Sequence, residues 1–342
     1  MAVILDSPRP AEALDMLSLI TSYRVTQVIH VAARLGVADL LTDGDRDIEY
    51  LAERTRTHAS SLYRVLRALA GLGIVREGKS RVFALTRLGQ SLRSDVSGSM
   101  RAWAMMVGGE HHWDPWGRLI DTVHNGTPAF EHVFGKGPFQ YYREHPDAEQ
   151  IFQAALKGLT EVVNPAILDA YDFSAFRRIA DIGGGTGRLI ASLLQAHPGA
   201  SGILFDQRDV IARAHPLIEE ARLQGRCELI AGDFFSGVPC GADAYLLKQI
   251  LHDWDDERSI AILRQCRQAL TEQGRLLIIE TVIPSGNGPF YGKLLDIEML
   301  VSYPGRERTS DEYRALLIKA GLKLTRIART STFVSIIEAV VS

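Results

Sequence analysis

The chain has 342 residues, 46% of them hydrophobic and 23% charged, which suits about two soluble domains of roughly 100–200 residues each. A formal net charge of -3 supplies no field to gather nucleic acid or an anionic membrane surface, and no apolar run approaches the ~18 residues of a membrane span. The opening MAVILDSPRP carries an apolar run broken by Asp6 and Pro8, too short for a signal peptide, so the expected compartment is the cytoplasm.

Residues 12–41 read as helices, because Leu14, Leu17, Ile20, Val28, Val31, Ala32 and Leu35 recur at helical spacing. Helices over 47–56 and 59–72 follow, the second with a stripe of Leu62, Val65, Leu66, Leu69 and Leu72, a stop at Gly73, and Ser60 or Ser61 as cap. Short strands at Ile74–Arg76 and Val82–Leu85 flank a polar turn containing Gly78, and a helix over 86–93 is expected after them. Helix, turn, helix and hairpin make a winged-helix pattern over 1–97. The segment 98–165 reads as a helical linker rich in rings: Trp103, Trp113, Trp116, Phe130, Phe134, Phe139, Tyr141 and Tyr142. Most of them are expected to be core, and some to line an apolar pocket.

From 166 to 342 strands alternate with helices. The strands are Arg178–Asp181, Gly202–Phe205, Cys227–Ala231, Ala242–Leu247 and Gly274–Thr281, with helices 187–196, 209–221 and 256–270 between them. The alternation predicts a parallel Rossmann-like α/β sheet covered on both faces, and segments near 322–329 and 333–341 predict a closing antiparallel hairpin. Cys227, Cys240 and Cys266 lie far apart and form no CxxC pair, which points to reduced structural thiols rather than a disulfide or a metal site.

Four stretches carry chemistry. The first is Asp181-Ile-Gly183-Gly184-Gly185-Thr186-Gly187, after an apolar strand and at the start of a helix. Glycines let backbone approach a ligand, and the helix start offers free N–H donors. A P-loop would need Gly-Lys-Ser/Thr, and a dinucleotide loop would need a small residue where Arg188 stands. A nucleoside with an amino-acid tail also suits the loop. The second is Asp206 at the next strand end, placed to accept from ribose hydroxyls of a nicotinamide dinucleotide or of S-adenosylmethionine alike. The third is Gly232-Asp233-Phe234-Phe235, an acid and a ring that suit an adenine, although Asp233 taken singly reads equally as a helix cap. The fourth is LKQILHDWDDE from Leu247 to Glu257, which places His252 beyond the fourth strand's carboxyl end, where ligands of open parallel sheets bind.

Together, DIGGGTG, GDFF and LKQILHDWDDE resemble the plant caffeic-acid and hydroxyindole type of O-methyltransferase, including its bacterial secondary-metabolite members, over nearly the whole chain. The resemblance implies an N-terminal winged-helix dimerisation domain, a homodimer, S-adenosylmethionine as methyl donor, S-adenosylhomocysteine as product and no metal. It implies that His252 is the general base, oriented by Glu280 and by Glu307 of Gly305-Arg306-Glu307-Arg308-Thr309. It assigns Asp181, Gly183, Gly185, Asp206, Asp233, Phe234 and Lys248 to the cofactor. Met299 and Tyr303 fall in the acceptor pocket, with Met105, Met106, His112, Trp116 and Asp253 expected beside them. The plant lignin enzymes carry asparagine where this chain has Tyr303, which points to a different small hydroxylated aromatic as substrate.

Two other classes use parts of this sequence. A dehydrogenase would use the same sheet, but Arg188 and the later Gly-Asp-Phe argue against it. A DNA-binding regulator would use the winged helix with Arg64 and Arg67, but Asp39, Asp43, Asp45, Asp47, Glu49 and Glu53 surround that helix, and DNA affinity rests on phosphate neutralisation. Neither nucleic acid nor membrane is an expected partner. A different reaction on a similar acceptor by a member of the same family stays open.

Overall fold

The computed structural model describes residues 10–342, and the apolar run broken by Asp6 and Pro8 lies outside the described residues. The chain divides into two compact units, one taking it up to Trp113 with His145–Leu159, the other Asp114–Glu144 with Thr160–Ser342. Residues 98–165 are therefore shared between the two.

The first unit begins with α1 (Pro10–Ile20), α2 (Tyr23–Leu35) and α3 (Val37–Leu40). Helix α1 buries none of its residues and leaves Leu14, Met16, Leu17, Leu19 and Ile20 more than half exposed. Gly36 turns the chain between α2 and α3 at φ 67 and donates back to α2 carbonyls, as a left-handed helix end requires. Strand β1 (Arg46–Asp47) leads into α4 (Ile48–Thr55), whose N-cap Asp47 accepts the Tyr50 N–H at 2.7 Å. Helix α5 (Ala59–Gly71) buries Leu62, Leu66 and Leu69, each stabilising by about 1.5–3 kcal/mol. The cap expected from Ser60 or Ser61 is absent: His58 is the N-cap residue and makes no side-chain cap bond, its ring meeting the Ser61 hydroxyl instead at 3.1 Å.

Strands β2 (Val75–Glu77) and β3 (Val82–Leu85) complete a small sheet ordered β1-β3-β2, so the winged-helix pattern is present. The helix expected over 86–93 shrinks to one 3-10 turn at Gly89–Leu92. The Thr86 hydroxyl donates to the carbonyls of Gly73 and Ile74 and accepts the Gly89 N–H, which ties the segment against the hairpin. A Cβ on Gly89 would overlap the Ile74 carbonyl. Helix α6 (Arg101–Val107) packs on α2, with His30 Nδ1 on the Ala104 carbonyl at 3.1 Å.

Five further helices follow: α7 (Glu110–Trp116), α8 (Leu119–Asn125), α9 (Ala129–Phe134), α10 (Pro138–Glu144) and α11 (Pro146–Ala170). In the second unit Phe130, Phe134, Tyr141 and Tyr142 pack ring to ring at 4.6–5.9 Å, but of the eight rings of this segment only Phe130 and Tyr142 are buried, so the expectation that most would be core is not met.

The second unit then alternates β4 (Arg178–Ile182), α12 (Arg188–Ala196), β5 (Ser201–Asp206), α13 (Arg208–Glu220), β6 (Cys227–Ala231), β7 (Ala244–Lys248), α14 (Asp256–Ala269) and β8 (Arg275–Ile283). It ends with α15 (Tyr291–Ser302), β9 (Arg308–Thr309), α16 (Ser310–Lys319), β10 (Leu322–Arg329) and β11 (Val334–Val341). The five predicted parallel strands are β4 to β8, with ends moved by no more than two residues. Sequence reading missed α15, β9 and α16.

The sheet order is β10-β11-β8-β7-β4-β5-β6, with β9 beside β8. Strands β4 to β8 run parallel, while β11 pairs antiparallel with both β8 and β10. The chain moves outward from β4 through β5 to β6, then returns to β7 on the other side of β4. That reversal opens a crevice at the carboxyl ends of β4 and β7, where open α/β sheets bind ligands. One core of Ile182, Ile203, Tyr245, Leu247, Ile262, Ile278 and Tyr313 holds these strand ends in place.

Candidate active site

The glycine loop leaves β4 and turns into α12. Gly183, Gly185 and Gly187 have φ of 68, 60 and 84, a region costly for other residues. A Cβ on Gly183 would stand 2.6 Å from Ile250 Cδ1 and 3.5 Å from the Phe234 ring, whereas one on Gly185 would meet nothing within 4 Å. The loop is thus packed at Gly183 and open at Gly185, a cradle for a ligand. The Gly185 N–H donates to Asp206 Oδ2 at 2.8 Å, and the Gln207 N–H to Oδ1 at 2.7 Å. Each oxygen keeps a free lone pair for a ligand hydroxyl.

Asp181 lies beneath the loop, 1% exposed, with its Oδ2 meeting no hydrogen-bond partner among the described residues. Burial lifts its carboxyl to about 7 against the pull of Lys248. Lys248 ends β7 and reaches the Thr160 hydroxyl at 3.3 Å; burial lowers its pKa, while Asp181 and Glu280 oppose the shift. Asp233 is exposed and accepts the Phe235 N–H at 2.9 Å, closing a turn and not capping a helix, since none lies between β6 and β7, and Phe234 stands against the loop. Asp181, Gly183, Gly185, Asp206, Phe234 and Lys248 therefore share one end of the sheet, with Asp233 at its β6 edge. Ile250 belongs with them, and no sequence signal marks it.

Beyond β7 the chain makes a tight turn, Leu251–Asp253, after Gln249 at φ 52. His252 is 8% exposed and stands on this turn. Its Nδ1 is 2.8 Å from Glu307 Oε1 and 3.7 Å from Glu280 Oε2, while Nε2 is 3.6 Å from Asp253 Oδ1. The two acids divide the work. Glu307 takes the ring, whereas Glu280 accepts the backbone N–H groups of Ile250 at 2.9 Å, Leu251 at 2.8 Å and His252 at 3.4 Å with one oxygen. Glu280 thus holds the turn, which the expectation of two ring-orienting acids had not separated.

Burial works against charge on His252, but the carboxylates of Glu280, Asp253 and Glu307 outweigh it and push the imidazole up to about 10. Burial in turn raises Asp253 to about 6, with His252 opposing. Burial also raises Glu280, again against His252. With Nδ1 engaged by Glu307, Nε2 is the nitrogen left to exchange a proton with a ligand. His252, Glu280 and Glu307 also each offer a ligand atom, all within 4.8 Å of one another. The three backbone donors and the imidazole use one oxygen of each acid, and Glu280 Oε2 and Glu307 Oε2 meet no hydrogen-bond partner among the described residues.

Beside this turn, Tyr303 is held neutral well above its usual range, first by burial and then by Asp253, Tyr142 and Glu298. The Phe139 ring lies 5.5 Å from it. Trp116 donates its indole N–H to Glu298 Oε2 at 2.7 Å, and the Ser302 hydroxyl donates to Oε1 at 2.7 Å. Met299 is 5% exposed on the same helix. Trp116, Met299, Tyr303 and Asp253 are thus gathered in the second unit, along with Glu298, which sequence reading passed over. Met105 and Met106 lie in α6 of the first unit, Met106 buried, and the half-buried His112 lies in α7 within that unit.

Among the described residues no helix is long and apolar enough to cross a membrane. An O-methyltransferase domain model matches residues 116–323, and an O-methyltransferase dimerisation domain model matches residues 17–95. The chain is 45% identical to a phenazine O-methyltransferase, PhzM, of Lysobacter antibioticus, covering 95% of both chains. Its fold matches the crystal structure of LaPhzM with a TM-score of 0.91 at 44% identity, over 98% of this chain and 100% of that one. It also matches CalO1, a methyltransferase of calicheamicin biosynthesis in its SAH-bound form, with a TM-score of 0.89 at 36% identity, over 98% and 100% of the two chains. The chain belongs to the O-methyltransferase family.

Proposed function

We propose that the protein transfers a methyl group from S-adenosylmethionine to a hydroxyl of a small, flat aromatic molecule, with His252 managing the acceptor's proton. One observation carries this reading: the sheet brings a glycine cradle and a buried histidine, locked by Glu307 at 2.8 Å, to the same crevice. The cradle fits the donor, because Gly185 leaves open space beside Asp206, whose carboxylate can accept from a ribose. Asp181, Gly183, Asp233, Phe234 and Lys248 complete that site. The sulfonium of the donor supplies an already activated methyl group, so the protein's part is to orient the acceptor and handle its proton.

An ordinary phenol, pKa ~10, and an ordinary histidine, ~6.5, differ by about 3.5 units, or roughly 5 kcal/mol against proton transfer. Three carboxylates around His252 close most of that gap by raising the imidazole to about 10. The raised value makes imidazolium the resting form at neutral pH. A phenol meeting neutral His252 and a phenolate meeting charged His252 reach the same pair of ions, so both routes are one mechanism. Glu307 then fixes which nitrogen holds the proton, and Nε2 keeps it beside the acceptor oxygen.

Trp116, Met299, Tyr303 and Asp253 offer apolar faces and two polar groups to such an acceptor. The relatives' phenazine substrate is of this kind. A homodimer follows from the dimerisation domain and from the bare apolar residues of α1. Isothermal calorimetry with S-adenosylhomocysteine, followed by activity against a panel of hydroxylated polycyclic aromatics, tests the reading. Absence of binding, or methylation confined to non-aromatic acceptors, overturns it.

A further inference from the structure

Arg308 is the largest fully buried side chain among the described residues and lies outside the set assigned to cofactor or acceptor. Burying a guanidinium is costly unless all its donors are met. Here they are met by the turn that carries His252, by the first residues of α14 and by the Arg306 carbonyl. Nη1 donates to the Leu251 carbonyl at 2.9 Å and the Arg306 carbonyl at 3.3 Å. Nη2 donates to the Trp254 carbonyl at 2.9 Å, Asp256 Oδ1 at 3.0 Å and the Ser259 hydroxyl at 3.3 Å, and Nε reaches Asp256 Oδ1 at 3.2 Å.

The acceptors on either side of His252 are thus tied to one guanidinium, as the donors at 250, 251 and 252 are tied to one carboxylate of Glu280. The chain direction adds the second half of the argument. Arg308 pairs with Val282 on β8, the strand that carries Glu280, and Arg308 directly follows Glu307. Two adjacent residues, Glu307 at the end of the loop and Arg308 at the start of β9, therefore deliver the acid to the ring and the fork to the turn. Gly305 presses the loop home, since a Cβ there would overlap the His252 carbonyl oxygen.

We infer that Arg308 is a positioning residue for catalysis: its planar fork sets the 251–254 turn against the loop residue Glu307 that precedes it, so that His252 Nδ1 meets Glu307. The inference rests on His252 acting on the acceptor's proton. Lysine cannot replace the fork, because its donors share a single nitrogen and cannot reach carbonyls at 251 and 254 together. His252 is faced by Glu280 from β8, Asp253 from its own turn and Glu307 from the loop, so a slackened turn weakens the Glu307 contact and leaves the other two near it.

The test is Arg308→Lys in the full chain, read as kcat against pH, as KM for S-adenosylmethionine and as melting temperature. The expected result is a fall in kcat of about 10–100-fold, below the 10²–10⁴ of a lost general base because Arg308 acts through His252. KM for the donor should stay within about threefold, and the rising limb of the pH profile should move to lower pH. Arg308→Ala should regain rate with added methylguanidinium and not with methylammonium. A purely structural arginine predicts lower stability with an unmoved pH limb and no rescue, and that outcome overturns the inference. Should Arg308→Lys fail to fold, Asp256→Ala reads the contact from its half-exposed end. A two- to fivefold loss of kcat with the same direction of pH shift supports the role, and a wild-type profile overturns it. Loss of S-adenosylhomocysteine binding in the wild type would refute the methyl-transfer reading itself.

Discussion

Replacing Glu307 with glutamine removes a charge from the buried pair and leaves an oxygen that can still accept from Nδ1. The wild-type contact is 2.8 Å between side chains 10% and 0% exposed. A hydrogen bond to a charged group contributes about 1.5–3 kcal/mol and a neutral one about 0.5–1.5 kcal/mol. The difference, about 1–1.5 kcal/mol, corresponds to roughly one pK unit at 1.36 kcal/mol per unit. His252 of the variant should therefore titrate about one unit lower, still held up by Glu280 at 3.7 Å and Asp253 at 3.6 Å.

The consequence for rate is not a uniform loss. Below the limb, a weaker base is present in its free form more often; above the limb, only its weakness counts. Whatever the Brønsted slope, the ratio of wild-type to variant kcat should grow by about tenfold from neutral pH to the plateau, which equals the shift in pKa expressed as a ratio. Any loss of orientation multiplies both ends equally and cancels. Positive charge on the bound donor lowers both limbs together, so the shift is the tested quantity. The assay is kcat between pH 6 and 11 on one acceptor. A constant ratio across that range would refute the assignment of the limb to the His252–Glu307 pair. Stability offers a second check. The imidazole is raised from 6.5 to about 10, so the pair stabilises the fold fully below about 6.5, and its contribution disappears as pH rises through about 10. The melting-temperature gap between wild type and Glu307→Gln should close over the last part of that window.

Three further outcomes follow from the same geometry. His252→Ala should lose about 10²–10⁴ in kcat on a weakly acidic phenol and less on a strongly acidic one, with calorimetric affinity for S-adenosylhomocysteine unchanged. Asp206→Ala should weaken that affinity by about 10–100-fold, since hydrogen bonds to a charged group contribute about 1.5–3 kcal/mol; an unchanged titration curve would remove Asp206 from the cofactor site. Gly305→Ala, whose Cβ would overlap the His252 carbonyl oxygen, should lower both melting temperature and kcat, and a stable variant of wild-type rate would show that the loop has room to move.

How much of this was readable in advance depends on the kind of contact. Strands β4, β5, β7 and β8 announced themselves because each is a largely apolar run buried on both faces, whereas the edge strand β6 exposes Glu228 and Ala231, and the hairpin's β10 alternates buried or half-buried apolar residues with exposed polar ones. Asp206 and His252 were legible because a position just past a strand end has a fixed place in a parallel sheet. The helix expected over 86–93 failed because its apolar spacing was sound while Thr86 ties the backbone to Gly73 and Ile74, a long-range bond that periodicity does not record. Arg308, and the hold of Glu280 on the turn, show the same limit at the site. A carboxylate that accepts three N–H groups and a guanidinium that donates to carbonyls 54 and 57 residues away are addressed to backbone, and backbone atoms look alike at every position. Residue identity reveals a side chain that meets a ligand, since ligand chemistry selects the residue type. A side chain that meets the main chain is chosen by shape alone, and it becomes visible only once the turn it holds has been folded around it.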